Sequence, residues 1–339
     1  MTAIAACVLA AALGLAATVL IGLPLTPRLQ MLQFGRVQPL FKKTEDAPEK
    51  ALLGGLLPVI GCGAAILVTC LTDRLRGGEL FAAGSLVPQE LYSKLAGGVL
   101  LALLFALIGG MEDGVRLLQG PSAGLTLRRR TALQLFAALA YCTSLYMAMQ
   151  GAPYFYLPFF GMLEIGFFHW LLGLLLLYGT ANAMRYAEDE SASCSVAAAI
   201  AAVTVAVIAG GKGLYGFSAC AAALCGAAVG AALWSPRLRL GETGALFYGG
   251  LLAGLAYAIH CPLLLPLIGL AYTADGGAKM LQTVYYRLTG RRLLREATLH
   301  AHLAAVGMQP RRVTALLALL QAAGGAAACL ILYFSGYFR

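Results

Sequence analysis

The most chemically loaded spacing in the chain is Arg237-Leu238-Arg239-Leu240-Gly241-Glu242-Thr243-Gly244, with a long apolar run on either side. It sets one carboxylate, Glu242, between two glycines and just ahead of a new helix. A carboxylate at a membrane–water boundary is costly unless it is solvated, paired or bound to a cation. Gly241 and Gly244 allow close backbone approach, and a helix start offers free N–H groups and a partial positive charge. Acid, glycines and helix start together suit a metal ion and phosphate groups. The plain alternative is a solvated loop carboxylate.

Other stations of the same character are spread along the chain. Glu112 and Asp113 are adjacent acids at the end of an apolar run. Like charges this close raise each other's pKa unless a cation intervenes, and a helix C-terminus disfavours anions. The pair therefore asks for a cation or an arginine partner, or else is exposed and steadied by Arg116. Asn182, Arg185 and Asp189 recur at three- and four-residue spacing and share a face if their helix continues. With Glu188 they form either a second acid station or a solvated acidic loop. Asp275 lies beside Gly276 and Gly277 near a span end, where an ionisable group is functional by default unless it pairs with Lys279. His300 and His302 alternate, so they face one ligand only on an extended backbone. Lys42 and Lys43, upstream of Gly54 and Gly55, either meet an anionic group or anchor the chain; Arg128, Arg129 and Arg130 read as a basic anchor. Glu164 and His169 read as buried and paired, with no function assigned.

The elements that must position these residues follow from composition. The 339 residues are 60% hydrophobic and 12% charged, with mean hydropathy +0.81. Soluble domains sit nearer 45–50% apolar and about 25% charged. A bilayer-spanning helix takes about 20 mostly apolar residues. Ten runs qualify: 3–24, 51–71, 93–110, 132–149, 163–179, 194–210, 214–234, 245–260, 262–282 and 313–336. The expected fold is all-α, a single integral membrane domain of about ten transmembrane helices over residues 1–339. No Lys or Arg precedes Arg28 and no cleavage site is evident, so residues 1–24 read as a span rather than a signal peptide. The segment 150–162, with Pro153 and Pro158 among aromatics, reads as a short hairpin on the outer surface.

Numbering the loops alternately places 19 of the 24 Lys and Arg in one set: 25–50, 111–131, 180–193, 235–244 and 283–312 with the adjoining Lys279. The positive-inside rule puts that set in the cytoplasm and both termini outside. The net charge of +9 then reads as orientation and attraction to anionic lipid or phosphates, not nucleic-acid binding. The nine cysteines fall in or beside spans without a Cys-x-x-Cys pair, and read as small buried hydrophobes. Ionisable groups near a bilayer midplane would suit a transporter. Most acids here lie at the cytoplasmic boundary instead, and that class ranks last.

In their order, these motifs resemble the polyprenyl-phosphate phospho-sugar transferases, glycosyl transferase family 4. Within them the resemblance is to the phospho-N-acetylmuramoyl-pentapeptide translocases of bacterial peptidoglycan synthesis. It runs over nearly the whole chain. Lys42-Lys43 and Gly54-Gly55 match the family's Lys-Lys and Gly-Gly, and Gly109 to Arg116 loosely match its Asp-Asp motif. Asn182 to Ser191 match in part its Asn-Asp motif, Leu240 to Ala245 its Gly-Asp-Thr-Gly motif, and Arg287 to His302 its basic run and histidines. The departures are specific. Glu112 and Glu242 stand where the family has Asp, Arg185 where it has Asn, Glu188 and Ser191 where it has Asp, and Ala301 where it has the middle His. Arg239 replaces an apolar or aromatic residue near the uracil.

The resemblance implies transfer of a phospho-sugar from a UDP-sugar to undecaprenyl phosphate with release of UMP, with magnesium as cofactor. It implies Glu242 as metal ligand, and Glu112 and Asp113 as groups that organise the metal or accept a proton. Asn182, Arg185 and Glu188 would shape the nucleotide side, His300 and His302 contact sugar or phosphate, and Lys43 and Arg116 steer phosphates. The expected setting is a bacterial inner membrane with the active face cytoplasmic; membrane lipid and a second copy of the chain complete the expected partners. The non-catalytic alternative is a degenerate relative that binds polyprenyl lipid or a cell-wall partner without turnover. Its expected mark is Arg185 or Arg239 paired with Glu242 or Glu188.

Overall fold

The computed structural model describes residues 2–37, 50–78, 88–120, 123–149, 151, 153–188 and 191–338. Twelve α-helices account for most of them: α1 (Ala3–Val37), α2 (Leu56–Leu75), α3 (Pro88–Gln119), α4 (Leu127–Ala148), α5 (Phe168–Tyr186), α6 (Ser193–Gly211), α7 (Tyr215–Trp234), α8 (Gly241–Ala258), α9 (Leu265–Ile268), α10 (Leu270–Thr289), α11 (Leu299–Ala305) and α12 (Pro310–Phe334). Between α4 and α5, β1 (Tyr154–Leu157) and β2 (Gly161–Glu164) form the expected hairpin, antiparallel with Tyr154 opposite Glu164. Glu164 is exposed on β2, not buried as the sequence suggested. A strand this short at the hairpin's open end leaves its last side chain outside the bundle. His169 is buried as expected, its Nε2 3.1 Å from the Cys142 carbonyl.

Seven helices, α1 to α4, α6, α7 and α12, are long and apolar enough to cross a membrane. The chain is a multi-pass helical membrane protein, and the expected count of ten is not reached by this measure. The remaining long helices carry the polar residues that matter below: Asn182 and Arg185 in α5, Glu242 and Thr243 in α8, Asp275 and Lys279 in α10. The expected run 262–282 is not one helix. The chain turns at His260 (φ +57°), passes through a short 3-10 turn (Pro262–Leu264) and α9, and only then enters α10, which continues to Thr289. Pro262 and Pro266 fit such breaks because proline cannot supply a helical N–H.

The core sits on α8. Every residue from Gly241 to Ala258 is buried. A helix with no polar face beyond its first turn has to be surrounded on all sides. α3 lies against it in the opposite direction, with Gly109 at the Glu242 end and Gly98 at Gly254. Outward-facing side chains are apolar, such as Leu67, Leu107, Leu171 and Leu175, as expected where the solvent is lipid. Antiparallel α3 and α8 bring the end of one to the start of the other, and this sets the position of the acids.

Candidate active site at the start of the buried helix

The first turn of α8 is capped by an acid from another helix. Asp113 Oδ1 accepts from the Glu242 N–H at 3.1 Å. Its Oδ2 accepts from the Thr243 N–H at 2.9 Å and from the Thr243 hydroxyl at 2.7 Å. The first N–H groups of a helix have no partner within it, and a carboxylate there also meets the positive end of the dipole. Glu188 Oε1 takes the Gly241 N–H at 3.1 Å. The helix start that the sequence suggested for a phosphate is therefore filled by the protein's own carboxylates. Gly241 is required: its φ is +70°, and a Cβ there would lie 2.6 Å from Asp113 Oδ2.

The next chain segment to arrive is Ala51–Gly55. It pairs with the strand-like turn before α8: Arg239 N–H donates to the Ala51 carbonyl at 2.9 Å, and Gly54 N–H to the Arg239 carbonyl at 2.9 Å. A Cβ on Gly55 would fall 2.2 Å from the Gly244 nitrogen, so only glycine permits this approach. The two glycine motifs of the sequence are thus one contact. Lys43, a few residues upstream, lies outside the described residues.

The remaining acids converge with arginines. Glu112 takes two bonds from Arg130 Nη1, both 2.9 Å, and one from Arg116 Nη2 at 2.8 Å. Arg116 Nη2 also lies 3.4 Å from Glu242 Oε1, which links the two carboxylates through one guanidinium. Arg185 Nε donates to Glu242 Oε2 at 2.5 Å. Arg239 grips Glu188 with Nε and Nη2, each at 3.0 Å. Glu112 and Asp113 are 2% and 0% exposed, so the alternative of an exposed pair does not hold. Buried charges persist when paired and hydrogen-bonded, and here each acid has its guanidinium or its row of N–H donors. Burial pushes the Glu242 carboxyl above the ordinary carboxylate range, while the Arg185 guanidinium beside it opposes that shift.

Several expected site residues serve elsewhere. The Asn182 amide donates to Gln134 Oε1 at 3.0 Å and to the Tyr178 carbonyl at 2.9 Å, tying α5 to α4. α5 ends at Tyr186, and Asp189 lies outside the described residues. Asp275 pairs with His300, not Lys279: Oδ1 accepts the His300 N–H at 2.9 Å and Oδ2 lies 3.1 Å from Nδ1. His300 and His302 sit on α11, so their side chains diverge, and His302 Nδ1 accepts from the Arg295 N–H at 3.2 Å. Neither histidine touches the Glu112–Glu242 cluster among the bonds described.

Arg130 is the participant that sequence reasoning missed. Its signal was hidden in a triplet: Arg128 and Arg129 are exposed, as an anchor should be, while Arg130 turns inward. Thr243 was likewise read only as part of a motif.

The donor set, as arranged, does not fit magnesium, which requires near-octahedral oxygen ligands at about 2.0–2.1 Å. Both oxygens of Glu112, Asp113, Glu188 and Glu242 already face N–H or O–H donors. Among the described residues no three His, Cys, Asp or Glu side chains gather as a metal site. Glu242, expected as the metal ligand, holds Arg185 instead.

Fold and site together define a polytopic helical membrane protein with a paired acid–arginine cluster at one end of its central helix. The family model for glycosyl transferase family 4 matches residues 95–260. That span holds every acid and arginine of the cluster and stops before Asp275, Lys279, His300 and His302. The chain is 30% identical over 307 residues to the phospho-N-acetylmuramoyl-pentapeptide-transferase of Heliobacterium modesticaldum, covering 87% of each chain. It is 27% identical over 323 residues to that of Desulforudis audaxviator, covering 90% of this chain and 91% of the relative. Against the enzyme of a Synechococcus strain it is 34% identical over 218 residues, covering 60% of this chain and 62% of the relative. The chain belongs to glycosyl transferase family 4.

Proposed function

We propose that this protein is a membrane phosphoglycosyl transferase acting in the synthesis of peptidoglycan lipid precursors. It moves a phospho-sugar, phospho-N-acetylmuramoyl-pentapeptide or a close relative, from a UDP-sugar to undecaprenyl phosphate. An oxygen of the lipid phosphate attacks the sugar-bearing phosphorus, a new P–O–P bond forms, and the bond to the UMP oxygen breaks with its electron pair leaving on UMP. The observation that carries this reading is the convergence of Glu112, Asp113 and Glu242. They stand 129 and 130 residues apart in sequence, yet one arginine, Arg116, touches both glutamates and lies 4.0 Å from Asp113. The positive-inside pattern of the loops supports a cytoplasmic setting for this end of the bundle, where a UDP-sugar is available.

The reaction gathers phosphate charge, and phosphoryl transfer is catalysed mainly by positioning and charge stabilisation. Arg116 and Arg239 are the most exposed arginines of the cluster, with side chains 26% and 36% exposed, and are the first to meet an incoming phosphate; Arg185, at 13%, lies deeper against Glu242. Glu112 and Glu188 act as positioning residues that hold those guanidiniums in place. Asp113 positions the start of α8, and with it Glu242.

A second reading is favoured by a specific observation. Arg185 pairs with Glu242 and Arg239 with Glu188, the marks expected of a relative that binds polyprenyl phosphate or a cell-wall partner without turnover. The deciding experiment is UMP release by purified protein supplied with UDP-N-acetylmuramoyl-pentapeptide and undecaprenyl phosphate, beside an active family member. UMP formation supports the transferase. Ligand binding without UMP from this or other UDP-sugars establishes the second reading.

A further inference from the structure

The cluster carries more positive charge than its acids use. Lys279 of α10 lies over the Tyr186 ring at 4.5 Å, half-buried, with Arg185, Glu242 and Arg130 as its charged neighbours. Around Glu112, Asp113 and Glu242 the described bases are therefore Arg116, Arg130, Arg185 and Lys279, one more than the acids. A second observation points the same way. Two donors on α4, Arg130 Nε and Gln134 Nε2, are buried without an acceptor, in side chains whose residues are only 7% and 0% exposed. Each lies one helical turn from the other, beside the atoms that hold Glu112 and Asn182. A buried donor left without an acceptor is costly, so a pair of them beside a cationic cluster asks for an acceptor-rich, anionic ligand.

We propose that this site holds the phosphate or diphosphate of its ligand through its own arginines and Lys279, without a divalent cation. Arg185 occupies the carboxylate face of Glu242 that a shared metal ion would need. A guanidinium offers fixed forked donors to phosphate oxygens and stays charged at all physiological pH. It therefore supplies both the charge and the geometry of anion binding, while Glu242 holds it in register. The ligand class rests on the function proposed above, since the same phosphate chemistry is presented by a UDP-sugar and by a polyprenyl phosphate.

The test is calorimetric binding to the full-length protein in detergent, with UDP-N-acetylmuramoyl-pentapeptide and undecaprenyl phosphate titrated in separate arms, each in EDTA and in magnesium. The arm that binds identifies which ligand the cluster serves. The expected result is a Kd in EDTA within about threefold of that in magnesium. In EDTA, Arg185→Asn should weaken that binding by about tenfold or more, and Arg185→Lys should recover part of the loss. Binding that is about tenfold or more tighter in magnesium overturns the inference alone. So does a stoichiometric manganese signal by electron paramagnetic resonance that Glu242→Gln abolishes. Failure of both ligands to bind in either buffer overturns the proposed function, and the inference with it. The EDTA-against-magnesium comparison uses unaltered protein, so it decides the matter even if Arg185→Asn does not fold.

Discussion

The two ends of α8 use buried cations in different ways. At its start, cations and anions interleave: Arg130 on Glu112, Arg185 on Glu242, Arg239 on Glu188, with Asp113 on the helix N–H groups. Beyond its far end, about 27 Å of helix away, Lys94 of α3 is 2% exposed and sits 2.7 Å from His260 Nε2. The His260 ring stacks on Tyr154 at 4.6 Å, and Lys94 lies 5.8 Å from that same ring. This end is aromatic packing closed by the β1–β2 hairpin, whose Tyr156 N–H donates to the His260 carbonyl at 2.8 Å. Both ends solve the cost of burying a cation. Only the first does so with partly exposed guanidiniums that a phosphate can reach, and this is why the chemistry is assigned there.

That contrast can be broken by substitution. The largest expected effect is Arg130→Met, which strips Glu112 of both Arg130 bonds and leaves a carboxylate in the core. Removing one partner of a buried pair costs about 3–5 kcal/mol, so thermal unfolding in detergent should show a large drop. Glu112→Gln together with Arg130→Met should recover much of it; failure to recover would mean Arg130 acts by packing alone. Next, Arg185→Ala should reduce UMP release, or ligand affinity if the protein does not turn over, by about 100-fold, the scale of one preorganised electrostatic donor. Retained function would move the site away from Glu242. Asp113→Asn keeps the shape and loses the charge at the α8 start, for an expected cost of about 1–2 kcal/mol. At the other end, Lys94→Met should lower stability yet leave ligand affinity unchanged, and a change in affinity would merge the two regions. The smallest effect on stability is expected for Arg239→Ala: the Arg239 side chain is 36% exposed, and ion pairs with a solvent-exposed partner contribute about 0–1 kcal/mol. Its readout is a modest change in salt dependence of binding.

Much of this was legible in the residue order. The resemblance set Glu112 and Asp113 beside Glu242, and they do converge there; a hairpin was expected over 150–162 and is formed at 154–164. The fate of the acids was only half legible. Arg116 is four residues from Glu112 on the same helix, so periodicity points to it. Arg130 is 18 residues away and Arg185 is 57 residues from Glu242, across turns whose geometry no period encodes. His300 and His302 were expected to share a ligand; on α11 they diverge, because a helix separates residues two apart, and His300 secures α11 to Asp275.

By itself the sequence determined the solvent of this protein, since runs of about 20 apolar residues leave the chain no stable place but a bilayer. It also determined which few residues could carry charge inside it. The tertiary structure decided who neutralises whom. A buried carboxylate takes the nearest donor in space, and that neighbour is chosen by how helices cross and how closely glycines let them approach. Here the crossing of α3 and α8 gave Asp113 to a helix start, and the end of α5 gave Glu242 an arginine.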